Sequence, residues 1–288
     1  MSSGIVLIDK APGMTSHDVV AKLRKKLLEK KIGHAGTLDP FATGLLLMGV
    51  GSGTKLLHHL FGLDKQYRAT IRLGQSTSTD DLEGVVNSER PASNLTLEEI
   101  SHEIKNLTGS IQQVPSSFSA IKIQGKRAYD LAREGREVQI PARSVQIYHF
   151  QSPSELMQSG EFIEFESTVD CSSGTYIRAL ARDLGAALGV GGHLRALRRT
   201  RIGEFSVGEA STLEEPQEVK SHLEVASKVF PVIELSSQQA QDIIHGKRIT
   251  LSHQETLAAS FAGELLAILE PVGQSYRSVT VFPEAFSG

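Results

Sequence analysis

Apolar and polar positions alternate in blocks along this chain, and each block reads as a separate element. The apolar run from Ile5 to Ile8 predicts a strand. Ser16 is a candidate cap for a helix running to about Lys30, with Val19, Val20, Leu23 and Leu27 on one face. Leu45 to Val50 is continuously apolar and predicts a buried strand, and Lys55 to Leu60 predicts a short helix. Tyr67 to Leu73 alternates as a strand that Gly74 ends. Thr96 is placed to cap a helix from Leu97 to about Leu107, with Glu98 and Glu99 near its positive end. Ala128 to Arg133 predicts another short helix. Val145 to Phe150 and Phe162 to Val169 predict paired strands, joined by the polar segment from Gln151 to Glu161. Tyr176 to Leu188 has helical spacing and stops at Gly189. After Phe230-Pro231 come a short helix from Leu235 and strands at Gly263–Leu269 and Ser278–Pro283.

Strands and helices do not alternate strictly, which argues against a doubly wound parallel sheet. The pattern predicts an α+β fold with a mixed, largely antiparallel sheet and flanking helices. A chain of 288 residues, 40% of them hydrophobic, can bury a substantial core in one large and one small domain. The expected boundary falls near Phe230, dividing residues 1–229 from 230–288. No apolar run approaches the roughly 18 residues of a membrane helix, and the N-terminus lacks the basic start and apolar core of a secretion signal. The single Cys171 excludes an intramolecular disulfide and fits a core position in a reducing cytoplasm.

The net charge of −3 does not mark a nucleic-acid binder, but two local clusters change that picture. Lys22, Arg24, Lys25, Lys26, Lys30 and Lys31 lie on or just after the first helix. His193, Arg195, Arg198, Arg199 and Arg201 lie in a stretch with no acid between Asp183 and Glu204. Gly49 to Leu56 has the look of a phosphate loop, yet Thr54 and Leu56 stand where the pattern needs Gly and Ser or Thr. His58-His59 is adjacent rather than one helical turn apart, and no paired Cys exists, so no zinc site is expected.

The candidate chemistry centres on Gly33-His34-Ala35-Gly36-Thr37-Leu38-Asp39-Pro40, which runs into Phe41-Ala42-Thr43-Gly44-Leu45-Leu46. Gly33 and Gly36 let the loop bend tightly, and Pro40 pushes Asp39 toward an extended backbone. A carboxylate on a stiff loop beside a buried strand is a way to present a nucleophile or general base.

This stretch resembles the central motif of the TruB-type tRNA pseudouridine synthases. Four further segments resemble the same family in order. Asp9-Lys10-Ala11-Pro12-Gly13-Met14-Thr15-Ser16 resembles its D-K-P-x-G-x-T-S, with Pro one position late. Lys65-Gln66-Tyr67-Arg68-Ala69 resembles its second motif. Val114-Pro115-Ser116-Ser117-Phe118-Ser119-Ala120-Ile121-Lys122 resembles its P-P-x-Y-S-A-x-K, with Ser116 for Pro and Phe118 for Tyr. Cys171 to Arg178 resembles its third motif.

The resemblance implies isomerisation of uridine 55 in the tRNA T-loop. Asp39, Tyr67 and Arg178 would be catalytic: Asp39 promotes glycosidic cleavage, Tyr67 stacks on the flipped base, and Arg178 pairs with Asp39. His34, Leu197, Lys10 and Lys122 would bind the substrate. Attack at C1′, attack at C6 and a glycal route all remain open. No cofactor or metal is implied. The partner would be the tRNA T-arm, with no membrane and no protein partner, and the enzyme a cytoplasmic monomer. The segment beyond Phe230 resembles a PUA-type RNA-binding module, a small β-barrel. A tRNA-binding chaperone and a synthase for another RNA are the alternative readings.

Overall fold

The computed structural model describes residues 3–116, 140–216 and 219–286, together with the backbone of 122–123 and 126–127. The chain divides into two compact units. One comprises Met1–Asp39, Leu45–Gly62 and Gly203–Gly288, and the other Pro40–Gly44 and Leu63–Ile202.

In the first unit, strand Gly4–Lys10 is tied to the later chain by Ile5 N–H to Lys220 O at 3.0 Å and Asp9 N–H to Ser211 O at 2.8 Å. The helix spans Ser16–Leu27, and its cap is Thr15, not Ser16. Thr15 has the extended backbone a cap needs. Its hydroxyl accepts from the Asp18 N–H, and the Asp18 carboxylate accepts from the Thr15 N–H. The helix stops short of Lys30 because Leu28 turns left-handed at φ 52. Its apolar face meets strands Ile32–Ala35 and Thr43–Val50, which pair antiparallel from Ile32↔Val50 to Ala35↔Leu47. Val6, Ile8, Val19, Val20, Leu23, Ile32, Leu46 and Met48 form the resulting core.

The C-terminal part of this unit has its own core around Leu235, Ile243, Leu266, Leu269 and Tyr276. Four strands lie there in the order Val232–Glu234, Leu257–Phe261, Glu264–Val272 and Ser275–Val281. The first pair is parallel and the other two are antiparallel. The helix is Ser237–Ile244, capped by Ser236, so it starts two residues later than Leu235.

In the second unit five strands lie in the order Gly192–Ile202, Lys65–Leu73, Phe162–Cys171, Arg143–Phe150 and Gly109–Gln113, every neighbouring pair antiparallel. Thr43 and Gly44 run parallel beside Arg198 and Arg199. Gly44, at φ +103, could carry no side chain there, since a Cβ would lie 2.2 Å from the Arg199 carbonyl oxygen. Helix Leu97–Asn106 is capped by Thr96, with Glu99 completing the box, and buries Ile100 and Ile104. Helix Ile177–Ala187 follows the third motif. The helix expected at Ala128–Arg133 lies outside the described residues.

Strand Gly192–Ile202 carries the second basic cluster, so that cluster is not one solvated face. His193 and Arg199 are buried, Arg195 pairs with Glu164 at 3.4 Å, and Arg201 pairs with Asp170. The acids that neutralise the strand come from its neighbours in space, which no reading of local charge would reveal. The first cluster differs: Lys22, Arg24, Lys25, Lys26, Lys30 and Lys31 are all exposed.

Candidate active site

Asp39 is half-buried in the loop between strands Ile32–Ala35 and Thr43–Val50. The residue before it is pinned. The Leu38 N–H donates to the Ser16 hydroxyl at 3.0 Å, and that hydroxyl donates to the Leu38 carbonyl at 3.3 Å. Ser16 is fully buried and 22 residues away in sequence. One hydroxyl therefore satisfies both polar groups of a buried residue and fixes the backbone entering Asp39. Pro40 stiffens the exit, and Phe41 and Ala42 are buried.

His34 stands on strand Ile32–Ala35, its ring edge-on to that of His17 with centroids 5.6 Å apart. Lys10 is 1% exposed, and its ammonium donates to the carbonyls of Ala11 at 3.0 Å and Met14 at 2.8 Å. Those bonds hold the turn in which Pro12 falls one position late.

Tyr67 stands on strand Lys65–Leu73, opposite Val169 on one neighbour and Arg199 on the other. Leu197 stands opposite Ala69. Directly opposed residues share a face, and so do alternate residues of one strand. Tyr67, Leu197 and Arg199 are therefore brought to one face, and all three are buried. Lys65 is two positions before Tyr67, and its ammonium donates to the Leu63 carbonyl at 2.5 Å and the Ser173 hydroxyl at 3.2 Å. Burial, with the Arg199 charge nearby, pushes the Lys65 pKa down to about 8. Cys171 faces the opposite effect: burial pushes its thiol up to about 11, so it stays protonated and unreactive at neutral pH.

Arg178 is the second residue of helix Ile177–Ala187, and its side chain is about 5% exposed. Its Nη1 donates to the Thr79 carbonyl at 2.9 Å and reaches the Ser116 hydroxyl at 3.4 Å. It also lies 3.3 Å from the buried carboxylate of Asp81. One turn later, Arg182 pairs with Asp80 at 3.3 Å and Asp183 at 2.8 Å. The Asp80-Asp81 pair thus holds two guanidinium groups on one side of the helix. Asp81 is itself fixed by the Thr79 hydroxyl at 2.5 Å and the Glu83 N–H at 3.1 Å. Burial raises the Asp80 pKa, against the opposing pull of Arg182, Ser116 and Arg178.

Lys10, His34 and Asp39 belong to the first unit, and Tyr67, Arg178 and Leu197 to the second. Lys122 lies in a two-residue strand paired with 126–127, and its side chain is outside the described residues. Sequence reasoning missed Ser16 as the support of Leu38, and Asp81 and Ser116 as partners of Arg178. The residues joined are 22, 62 and about a hundred positions apart, so no local spacing marks them. Only the acidic pair after Thr79 was a visible signal. Among the described residues, no cluster of His, Cys, Asp and Glu is arranged to hold a metal ion.

Comparison with known proteins places this architecture. A curated tRNA pseudouridine synthase B from Paenarthrobacter aurescens is 48% identical, the match covering 98% of this chain and 96% of that protein. Proteins of the same name from Thermobifida fusca and Corynebacterium glutamicum are 46% and 48% identical, over 98% and 97% of this chain and 99% and 95% of theirs. Among solved structures, a chain of an H/ACA RNP bound to a substrate RNA superposes with a TM-score of 0.69 at 22% identity, over 97% of this chain and 84% of that one. A chain of a Cbf5-Nop10-Gar1 complex gives 0.68 at 24%, over 97% and 83%. These two likenesses show a shared fold. Residues 24–177 match the N-terminal domain model of the TruB family pseudouridylate synthases. Residues 178–232 match the tRNA pseudouridylate synthase B C-terminal domain, and 230–283 match the C-terminal segment of tRNA pseudouridine synthase II. From the Asp39 loop to the PUA-like final sheet, the chain belongs to the TruB family of pseudouridine synthases.

Proposed function

We propose that this chain converts uridine 55 of the tRNA T-loop to pseudouridine, with Asp39 as the essential carboxylate. The observation that carries the assignment is the Asp39 loop itself. A half-buried carboxylate sits between a backbone pinned by Ser16 and a rigid Pro40, in a chain matched end to end by enzymes named for tRNA pseudouridylation.

The base is flipped out of the T-loop, at an unstacking cost of roughly a few kcal/mol. Tyr67 stacks on the extruded uracil, Leu197 packs against it, and His34 fills the space left in the loop. Arg178 orients Asp39 and favours its ionised form. Asp39 promotes cleavage of the bond between N1 and C1′. The uracil rotates, C5 bonds to C1′, the C5 hydrogen leaves as a proton, and N1 takes one up. Atoms and electrons balance without a cofactor or an external group donor.

Lys10 and Lys122 contact the RNA backbone. Residues 1–229 form the catalytic domain and 230–288 an RNA-binding module, a division supported by the self-contained core around Leu266 and Tyr276. The enzyme acts as a cytoplasmic monomer. No helix among the described residues is long and apolar enough to cross a membrane.

The test is to treat an unmodified tRNA transcript and a ribosomal RNA fragment with the enzyme and map pseudouridine in each. The expected result is one modified position, uridine 55, in the tRNA alone. Product confined to the ribosomal fragment would transfer the chemistry to another RNA, and tight tRNA binding without product would leave a chaperone.

A further inference from the structure

The helix that carries Arg178 begins without a side-chain cap. Its N-cap residue is Tyr176, whose side chain caps nothing. The backbone of Tyr176 is held instead by Gln113, at the end of strand Gly109–Gln113. The Tyr176 N–H donates to Gln113 Oε1 at 2.8 Å, and Gln113 Nε2 donates to the Tyr176 carbonyl at 3.1 Å. A side-chain amide offers an acceptor and a donor in one plane, as the backbone of a neighbouring strand would. Gln113 is 0% exposed, so both bonds are obligatory. Across the sheet Gln113 stands opposite Arg143, whose guanidinium lies 4.7 Å from the centre of the Tyr176 ring. Tyr176 is thus held at its backbone by one strand and at its ring by the next.

The same segment continues along the helix. The Val114 carbonyl accepts from Arg182 at 2.7 Å, and the Ser116 hydroxyl meets Arg178 at 3.4 Å. Residues 113, 114 and 116 therefore lace helix positions 176, 182 and 178. We propose that Gln113 is a positioning residue for catalysis, fixing the start of the Arg178 helix through the backbone of Tyr176. Arg178 is only two residues beyond that clamp, so a rotation of the helix start displaces its guanidinium directly. This inference rests on the catalytic reading of Arg178.

Glutamate and methionine at this position separate positioning from packing. Gln113→Met keeps the volume and loses both bonds. It is expected to lower kcat by about 30- to 100-fold, on the scale of a small misplacement of a reacting group, with the Kd for tRNA within about twofold of wild type. Gln113→Glu keeps the shape. Ionised, it cannot donate to the Tyr176 carbonyl; protonated, it both accepts and donates as the amide does. Full burial raises the pKa of such a carboxyl by more than the Arg143 guanidinium opposite lowers it, so recovery falls in the working range. The kcat of Gln113→Glu relative to wild type is expected to rise at least about fivefold between about pH 8.5 and about pH 6. A ratio flat with pH, or kcat unchanged in both variants, overturns the proposal. Arg178→Ala is assayed in parallel. Normal turnover there rejects the reading of Arg178 itself. An impaired Arg178→Ala beside unimpaired Gln113 variants rejects the positioning role alone. If Gln113→Met fails to fold, Gln113→Glu at low pH still decides.

Discussion

The backbone before Asp39 and the Arg178 helix start are held by different kinds of contact. Around the loop, a buried hydroxyl on Leu38, a proline and the apolar anchors Leu38, Phe41 and Ala42 set the backbone. The helix start is fixed by a web. Asp81, Thr79 and Ser116 hold Arg178, Asp80 and Val114 hold Arg182, and Gln113 holds Tyr176. A loop that presents a carboxylate needs a rigid backbone with its buried polar groups satisfied. A buried guanidinium needs its charge neutralised and its donors satisfied before burial is tolerable. The backbone entering Asp39 is thus set by a hydroxyl and a proline, and the helix start by buried charge.

The largest effect should come from the loop. Asp39→Asn is expected to lower turnover by roughly 10⁴-fold or more while tRNA binding stays near wild type, measured by single-turnover kinetics and filter binding. Arg178→Ala should lower kcat by about 10²- to 10³-fold with little change in affinity. A loss in binding equal to the loss in rate would make Arg178 a general RNA contact instead.

The two regions also differ in how stability responds. Asp81→Ala removes a buried counter-charge of Arg178 and is expected to cost about 3–5 kcal/mol in urea unfolding. Ser16→Ala orphans the Leu38 backbone groups and should cost about 1–3 kcal/mol, with a fall in kcat and no change in tRNA affinity. If Ser16→Ala proved the more damaging of the two to stability, the contrast between the regions would be reversed.

The smallest effect on activity accompanies a pH dependence of stability elsewhere in the first unit. His59 donates to or accepts from the Thr280 hydroxyl at 2.9 Å, and burial, with His58 adjacent, lowers its pKa from 6.5 to about 4. The unfolded chain then binds more protons than the folded one between those values. Stability from this group is complete above 6.5 and is lost as pH falls toward about 4. His59→Gln should flatten that part of the stability curve while leaving the contribution of the Asp81–Arg178 pair unchanged.

The same contrast explains what could be read from the sequence. The Asp39 loop was legible because its determinants are local: glycines, a proline and the apolar run behind them. The Thr96 cap and strand Lys65–Leu73 were legible for the same reason. Strand Gly192–Ile202 was not, because five basic residues break its alternation and their partners, Glu164 and Asp170, lie on a different strand. The helix cap was placed one residue late because Thr15 and Ser16 are chemically alike, and only the fold turns Ser16 toward Leu38. Gln113 carries no local mark, and Asp81 only its acidic neighbour Asp80. Their roles exist only where distant segments meet.

The decisive measurement is tritium release from tRNA carrying [5-³H]uridine, with wild type and Asp39→Asn compared side by side. C5 must lose its hydrogen when it becomes the glycosidic carbon. Release approaching about one equivalent per tRNA from wild type, and none from folded, tRNA-binding Asp39→Asn, is the expected result. Equal release from both proteins would contradict the assignment of Asp39, and no release from wild type would contradict the chemistry.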